Sequence, residues 1–266
     1  MAPEAPRTDW NAAVYDRIGT PMRGWAQQVI DDLELRGDET VLDAGCGSGS
    51  VTLDLLRKLP DGKVYAVDSS PEMTSNLEKE LAERGITNVV ALTASLADFT
   101  LPEQVDAVFS NAVFHWVPDD DGLFGSLARA TKPGGRLRAQ CGGAGNIARL
   151  REATHDVEKR APYAEHLSGD SDFRKYRSVE EARAAMERNG WRDVRGNLFE
   201  APVTFEDEDA AVLYLRTIIL QHQVAALPED LSERFLRGVV AETVQRFGAP
   251  FSADYVRLDL WATQGG

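Results

Sequence analysis

Short apolar runs alternate with helical stripes along the first half of the chain. Residues 40–44, 63–67, 88–92 and 104–109 are brief, rich in β-branched side chains and bounded by turn formers, as strands buried on both faces should be. Residues 24–35 carry Trp25, Val29, Ile30 and Leu33 on one helical face and stop at the Gly37-Asp38 turn. Helices are also predicted over 50–58, 119–130 and 71–85, the last with Ser70 as N-cap and Pro71 at the first helical position. A proline–glycine turn in 131–137 leads into a fifth strand. Strand and helix alternate four times in a row, which predicts parallel βαβ units with right-handed crossovers and a doubly wound α/β sheet.

Beyond Cys141-Gly142-Gly143 the pattern loosens. Residues 147–160 read as an amphipathic helix and 161–176 as polar and irregular; 178–189 and 194–199 restore a helix and a strand across the Gly190-Trp191 turn. Residues 206–247 predict two long apolar-faced helices, one through Val212, Leu213, Leu215 and Ile219, the other through Leu231, Phe235, Val239, Val240 and Val244, separated by Pro228. That segment is too apolar for a loose loop. Residues 255–262 alternate and read as a closing antiparallel strand. The expected organisation is an N-terminal helical segment (1–36), a core (37–145) continued at 178–205, cap insertions at 146–177 and 206–248, and a closing strand in 249–266.

The chemistry is signalled where the first strand ends. Asp43-Ala44-Gly45-Cys46-Gly47-Ser48-Gly49 removes every second Cβ, so the backbone can turn sharply and approach a ligand, with the N–H groups of the following helix pointing at it. By itself the turn is shared by nicotinamide, flavin and S-adenosylmethionine folds. The second strand ends on Asp68, 19 residues beyond Gly49, where a carboxylate can accept both hydroxyls of a ribose. Asp43, buried before the turn, can organise the loop and meet the amino group of an amino-acid moiety. The fourth strand delivers Ser110-Asn111-Ala112-Val113-Phe114-His115-Trp116 to the carboxyl edge of the sheet, where open α/β sheets bind ligands.

Asp-x-Gly-x-Gly-x-Gly followed by Val-Asp-Ser-Ser-Pro-Glu-Met resembles the class I S-adenosylmethionine-dependent methyltransferases. Asn-x-x-x-His-Trp after the fourth strand is similar to the trans-aconitate methyltransferase group of small-molecule enzymes. The resemblance covers 10–143 well and 178–262 loosely. It implies a mostly parallel seven-stranded Rossmann-like sheet with an antiparallel closing strand and helical caps, and S-adenosylmethionine as cofactor. Carried over residue by residue, it implies cofactor contacts at Tyr15, Arg23, Asp43, Gly45, Gly47, Gly49, Asp68, Ser69, Met73, Ser95, Leu96, Asn111 and Ala112. Many relatives place an Asp at the adenine where this chain has Ser95. His115 and Trp116 become the catalytic pair, with Trp10, Gln140, Arg149 and Arg216 as substrate contacts; Arg151 and Arg174 are further cap cations that could clamp acidic groups. The expected reaction is O-methylation of a carboxylate by in-line displacement. O-, N- or C-methylation of a natural-product scaffold, and a non-catalytic S-adenosylmethionine-binding protein, stand as alternatives.

Composition narrows this further. The net charge of −14 opposes the phosphate neutralisation that drives nucleic-acid binding. Residues 129–192 nevertheless hold 14 Lys or Arg against 9 Asp or Glu, a local excess suited to a solvated surface or to an anionic small substrate. No Tyr-x-x-x-Lys pair supports a short-chain oxidoreductase. The four histidines, His115, His155, His166 and His222, are too scattered for a metal site. Cys46 and Cys141 read as small packing residues. No apolar run reaches the roughly 18 residues that span a membrane and no signal-peptide core opens the chain. A cytoplasmic monomer or homodimer is expected.

Overall fold

The computed structural model describes residues 20–167 and 174–266. The elements follow the predicted order: α1 (Thr20–Asp31), β1 (Thr40–Ala44), α2 (Ser50–Leu56), β2 (Lys63–Asp68), α3 (Pro71–Arg84), β3 (Val89–Thr93), β4 (Val105–Asn111), α4 (Asp120–Ala130) and β5 (Thr131–Gly142). Then come α5 (Ala148–Glu158), α6 (Val179–Arg188), β6 (Trp191–Glu200), β7 (Val203–Thr204), α7 (Glu208–Tyr214), α8 (Gln221–Ala226), α9 (Glu229–Phe247), β8 (Ser252–Ala253) and β9 (Val256–Gln264). The main sheet has seven strands in the order β3-β2-β1-β4-β5-β9-β6. The strands β3, β2, β1, β4 and β5 pair in parallel, and β9 runs antiparallel to β5. This is the doubly wound sheet with an antiparallel closing strand that the alternation and the glycine turn predict.

Two compact units make up the described chain: 20–144 with 174–199 and 257–266, and 145–167 with 200–256. In the first, successive β1 side chains go to opposite layers. Val41 joins Ala26, Val29 and Ile30 of α1, Leu33 just beyond it and Leu77 of α3, while Leu42 and Ala44 join Leu123 and Leu127 of α4 and Met186 of α6. Helices therefore cover both faces, and β1 and β4 lie in the middle with their carboxyl ends side by side. The cap predicted at Ser70 forms, its hydroxyl accepting the Met73 N–H, and the structure adds a capping box of Ser178 with Glu181 on α6.

The second unit departs from the two long helices expected in 206–247. Only α9 is long. The segment before Pro228 is α7, a π turn over Leu215–Ile219 and the short α8. At Leu220 the N–H reaches back to Leu215 O at 2.8 Å, so the break is one inserted residue rather than a proline kink. The interior is apolar all the same: α9 packs on α5, and Phe235, Leu236 and Val239 of α9 are buried, as are Leu150, Ala153 and Val157 of α5. The Tyr214 and Tyr255 hydroxyls share a buried hydrogen bond at 2.8 Å. No described helix is long and apolar enough to cross a membrane.

Candidate functional site

The loop after β1 is built by glycine. Gly45, Gly47 and Gly49 take φ of 90°, 53° and 93°, a region that L side chains rarely adopt. A Cβ on Gly45 would lie 2.2 Å from Val113, and one on Gly49 would lie 2.3 Å from Leu77. These two glycines let the loop pack against the β4 turn on one side and α3 on the other. Gly47 is different. A Cβ there would meet nothing within 4 Å, so its backbone faces open space.

Two carboxylates flank that opening. Asp68, at the end of β2, accepts the Gly47 N–H at 3.0 Å on one oxygen and the Ser70 N–H at 2.9 Å on the other. A carboxylate has about four acceptor positions; these two amides are joined by the Ser69 N–H, which also favours the charged form, so at least one position remains. Asp43 is buried and accepts the Thr52 hydroxyl at 2.7 Å on Oδ2. Burial drives its carboxyl up against the Thr52 bond, and the charge of Asp68 adds to the rise, taking it to about 7. Burial also raises Asp68, opposed by its backbone amides. Two desolvated acids thus stand beside an open glycine backbone.

A short 3-10 turn, Phe114–Trp116, follows β4 and carries His115 and Trp116. The chain enters it through Ala112, at a left-handed φ of 62° that costs a non-glycine residue about 1–2 kcal/mol. The Ala112 N–H is held by Gln140 O at 2.7 Å. His115 is 8% exposed, and its Nδ1 accepts the Gly142 N–H at 3.3 Å. Burial, then the positive charges of Arg257, Arg174 and Arg177, hold its pKa well below the usual 6.5. The ring is therefore neutral at pH 7, and with Nδ1 accepting, its proton is on Nε2. Tyr176 stacks on the His115 ring at 5.6 Å, and the Arg174 guanidinium lies 5.4 Å and 5.8 Å from the Trp116 and Tyr176 ring centres.

Gln140 does not serve as the substrate donor expected of it. It is fully buried: its amide N–H goes to Asp259 at 2.8 Å, and its oxygen accepts from Arg257 Nε at 3.3 Å. Asp259 in turn takes Arg138, which also binds Asp32 at 2.8 Å, while Arg257 lies over the Trp25 ring at 4.4 Å. This network of two arginines and two aspartates is a cross-strand pairing: Gln140 stands opposite Asp259, and Gly142 opposite Arg257. Nothing local to Gln140 advertises a partner 119 residues away.

The structure brings together Asp43, the three glycines, Asp68, Asn111, Ala112, His115 and Trp116 at the carboxyl ends of β1, β2 and β4. Ser69 is exposed after β2, and Met73 is buried in the first turn of α3. After β3, Leu96 is a core residue, while Ser95 is exposed and accepts the Ala97 N–H at 3.2 Å. Arg149 and Arg216 belong to the other unit. Arg23 falls near the start of α1, and Trp10 and Tyr15 lie outside the described residues. Burial pushes the Cys141 thiol up to about 11 and Cys46 well above its ordinary range, so both stay protonated packing residues. Among the described residues, no three His, Cys, Asp or Glu side chains group as a metal site. The residues that sequence reasoning missed are Tyr176, Arg177 and Arg257, which surround His115 from segments without a motif.

A family model described as a methyltransferase domain matches residues 41–135. The trans-aconitate 2-methyltransferase of Variovorax paradoxus is 28% identical over 86% of each chain. That of Acidovorax ebreus is 30% identical over 50% of this chain and 49% of its own. The chain spans about half the length of several of the curated relatives it matches. Among solved structures, YcgJ from Bacillus subtilis superposes with a TM-score of 0.64 at 18% identity, covering 92% of this chain and 99% of that one, a likeness of fold.

Proposed function

From a chain whose residues 41–135 form a methyltransferase domain on a class I S-adenosylmethionine-dependent methyltransferase fold, we propose methyl transfer from S-adenosylmethionine to a carboxylate oxygen of a small acid. The carrying observation is the bond from Gly142 N–H to His115 Nδ1. It leaves a buried, neutral imidazole that offers an Nε2–H donor. Its low pKa makes it a poor base. A phenol or alcohol needs a proton removed, whereas a carboxylate is already ionised at pH 7 and needs only alignment, desolvation and a donor to orient it. The trans-aconitate 2-methyltransferase relatives support a carboxylic acceptor.

When bound, the cofactor supplies a methyl group on a sulfonium, which departs as a neutral thioether. The residues present fit it. Asp68 has acceptor capacity left for the ribose hydroxyls, Asp43 is a counter-charge for the amino group, and Gly47 presents open backbone between them. Met73 and Leu96, both buried, would supply apolar surface for the adenine. His115 Nε2–H and the Trp116 indole would hold and orient the acceptor carboxylate. Arg174, on the aromatic pair, biases the site toward anions.

Two measurements test the reading. Labelled S-adenosylmethionine offered with pooled carboxylic acids, phenols and amines should give a product that releases labelled methanol in mild alkali; label that survives alkali would rule out an ester and the carboxylate assignment with it. The second reads the acid pair directly. Because Asp43 titrates near 7 and a cationic ligand binds its ionised form, affinity for S-adenosylmethionine should rise about tenfold from pH 6 to pH 8, with proton release below pH 7. Calorimetry in two buffers of different ionisation enthalpy checks this, and a pH-independent Kd would detach Asp43 from the ammonium.

A further inference from the structure

The turn that presents His115 and Trp116 is held from outside by one side chain. Arg177 is 2% exposed and uses its guanidinium as a fork: Nη1–H donates to Phe114 O at 2.8 Å, Nη2–H to Val117 O at 2.6 Å and Nε–H to Asp120 Oδ1 at 2.7 Å. These acceptors bracket the His115-Trp116 pair on both sides. Two residues earlier, Lys175 N–H takes the carbonyl of His115 itself at 2.8 Å, and the Lys175 ammonium joins Arg177 on Asp120 at 2.8 Å. Arg177 also pairs through its backbone with the end of β5: it bridges Gly143, and its carbonyl accepts the Ala144 N–H at 2.9 Å. One residue thus ties the turn to the strand whose Gly142 N–H fixes His115 Nδ1.

We propose that Arg177 is the positioning residue of the transfer site, locking the Phe114–Val117 carbonyls and the β5 end into one piece so that the His115 Nε2–H and the Trp116 ring are held at a fixed distance from the cofactor loop. The role rests on the transfer reaction proposed above. A planar fork suits it. Three acceptors in different directions need the fixed donor geometry of a guanidinium, which the point charge of a lysine does not reproduce. The turn also needs an external clamp because it follows a left-handed alanine and is only three residues long, too short to hold itself.

A purely structural arginine would affect stability alone, so the test reads His115. The charged groups that face its ring are Arg257 from β9 and Arg174 and Arg177 from the segment before α6, with Asp120 and Lys175 paired to each other behind Arg177 and the protonated Cys141 beneath. In the full chain, Arg177→Met is expected to lower kcat for the accepted acid by at least about tenfold. The Kd for S-adenosylmethionine should stay within about twofold, and the His115 titration seen in its imidazole NMR signals should move up by about one pH unit. Arg177→Lys keeps the charge and loses the fork: its His115 titration should stay low while kcat recovers only in part. A folded Met variant with unchanged kcat and unchanged His115 titration overturns the assignment. If the Met variant does not fold, Lys decides, since wild-type kcat with lysine would equally overturn it. The NMR titration needs no substrate, so an alkali-stable product would sink the carboxylate reading without touching this one.

Discussion

Asp68→Ala should weaken binding of S-adenosylmethionine and S-adenosylhomocysteine by about 1–3 kcal/mol, roughly 5- to 150-fold in Kd, the scale for losing hydrogen bonds to a charged group. The carboxylate has two duties, and each contributes. Its oxygens accept the Gly47 and Ser70 amides and so shape the loop at its most open point, and the acceptor capacity left over is where the ribose hydroxyls belong. Asp68→Asn separates them: one amide oxygen can still accept a backbone N–H while the charge is gone, so its loss should be smaller than that of Ala. Neither variant should unfold the sheet, because the β1–β2 pairing continues below from Thr40 opposite Lys63 to Ala44 opposite Val67. Unchanged affinity of Asp68→Ala by calorimetry would place the ribose elsewhere and undo the reading of the whole glycine loop.

What the sequence makes legible here is what is local. β1, its glycine turn and the Asp68 that ends β2 lie within 29 residues, and each was forced by a backbone requirement that only glycine or a strand-end acid meets. His115 and Trp116 are legible one step further out: a parallel sheet must put the end of its fourth strand beside the end of its first, as the contact between Val113 and Gly45 displays. The support around His115 is not local. Arg177 meets Phe114 and Val117 from about 60 residues away, at the close of a stretch whose polar, aperiodic composition predicts only irregular chain. Gln140 was mistaken for the same reason in reverse: a polar residue at a strand end looks available until its cross-strand neighbour is known, and Asp259 takes its amide. In the second unit the apolar pattern predicted the burial of Val212, Leu215 and Ile219, but Leu213, expected on the same face, is exposed, and the π turn was not foreseen, since one inserted residue shifts the face of a helix without erasing its hydrophobic stripe.

His115→Ala should reduce methyl transfer by about 10²-fold, the usual cost of removing one preorganised donor, with Kd for S-adenosylmethionine within about twofold. The separation follows from where the ring is anchored: its Nδ1 is held by Gly142 of β5, not by the glycine loop or by Asp68. Glutamine is the informative second variant, because its side-chain amide can place an N–H near the position of Nε2 but cannot act as a base. Under the carboxylate reading, His115→Gln recovers part of the lost rate; under a base mechanism it is as inactive as alanine. The pH profile makes the same division. Burial and three neighbouring arginines keep His115 neutral well below 6.5, so its own titration should leave kcat flat from about pH 6.5 to 9. A kcat, measured at saturating S-adenosylmethionine, that instead climbs steadily with pH across that range would report an acceptor that must lose a proton first, a phenol or an amine, and a fully active His115→Ala would leave the imidazole with no part in the chemistry.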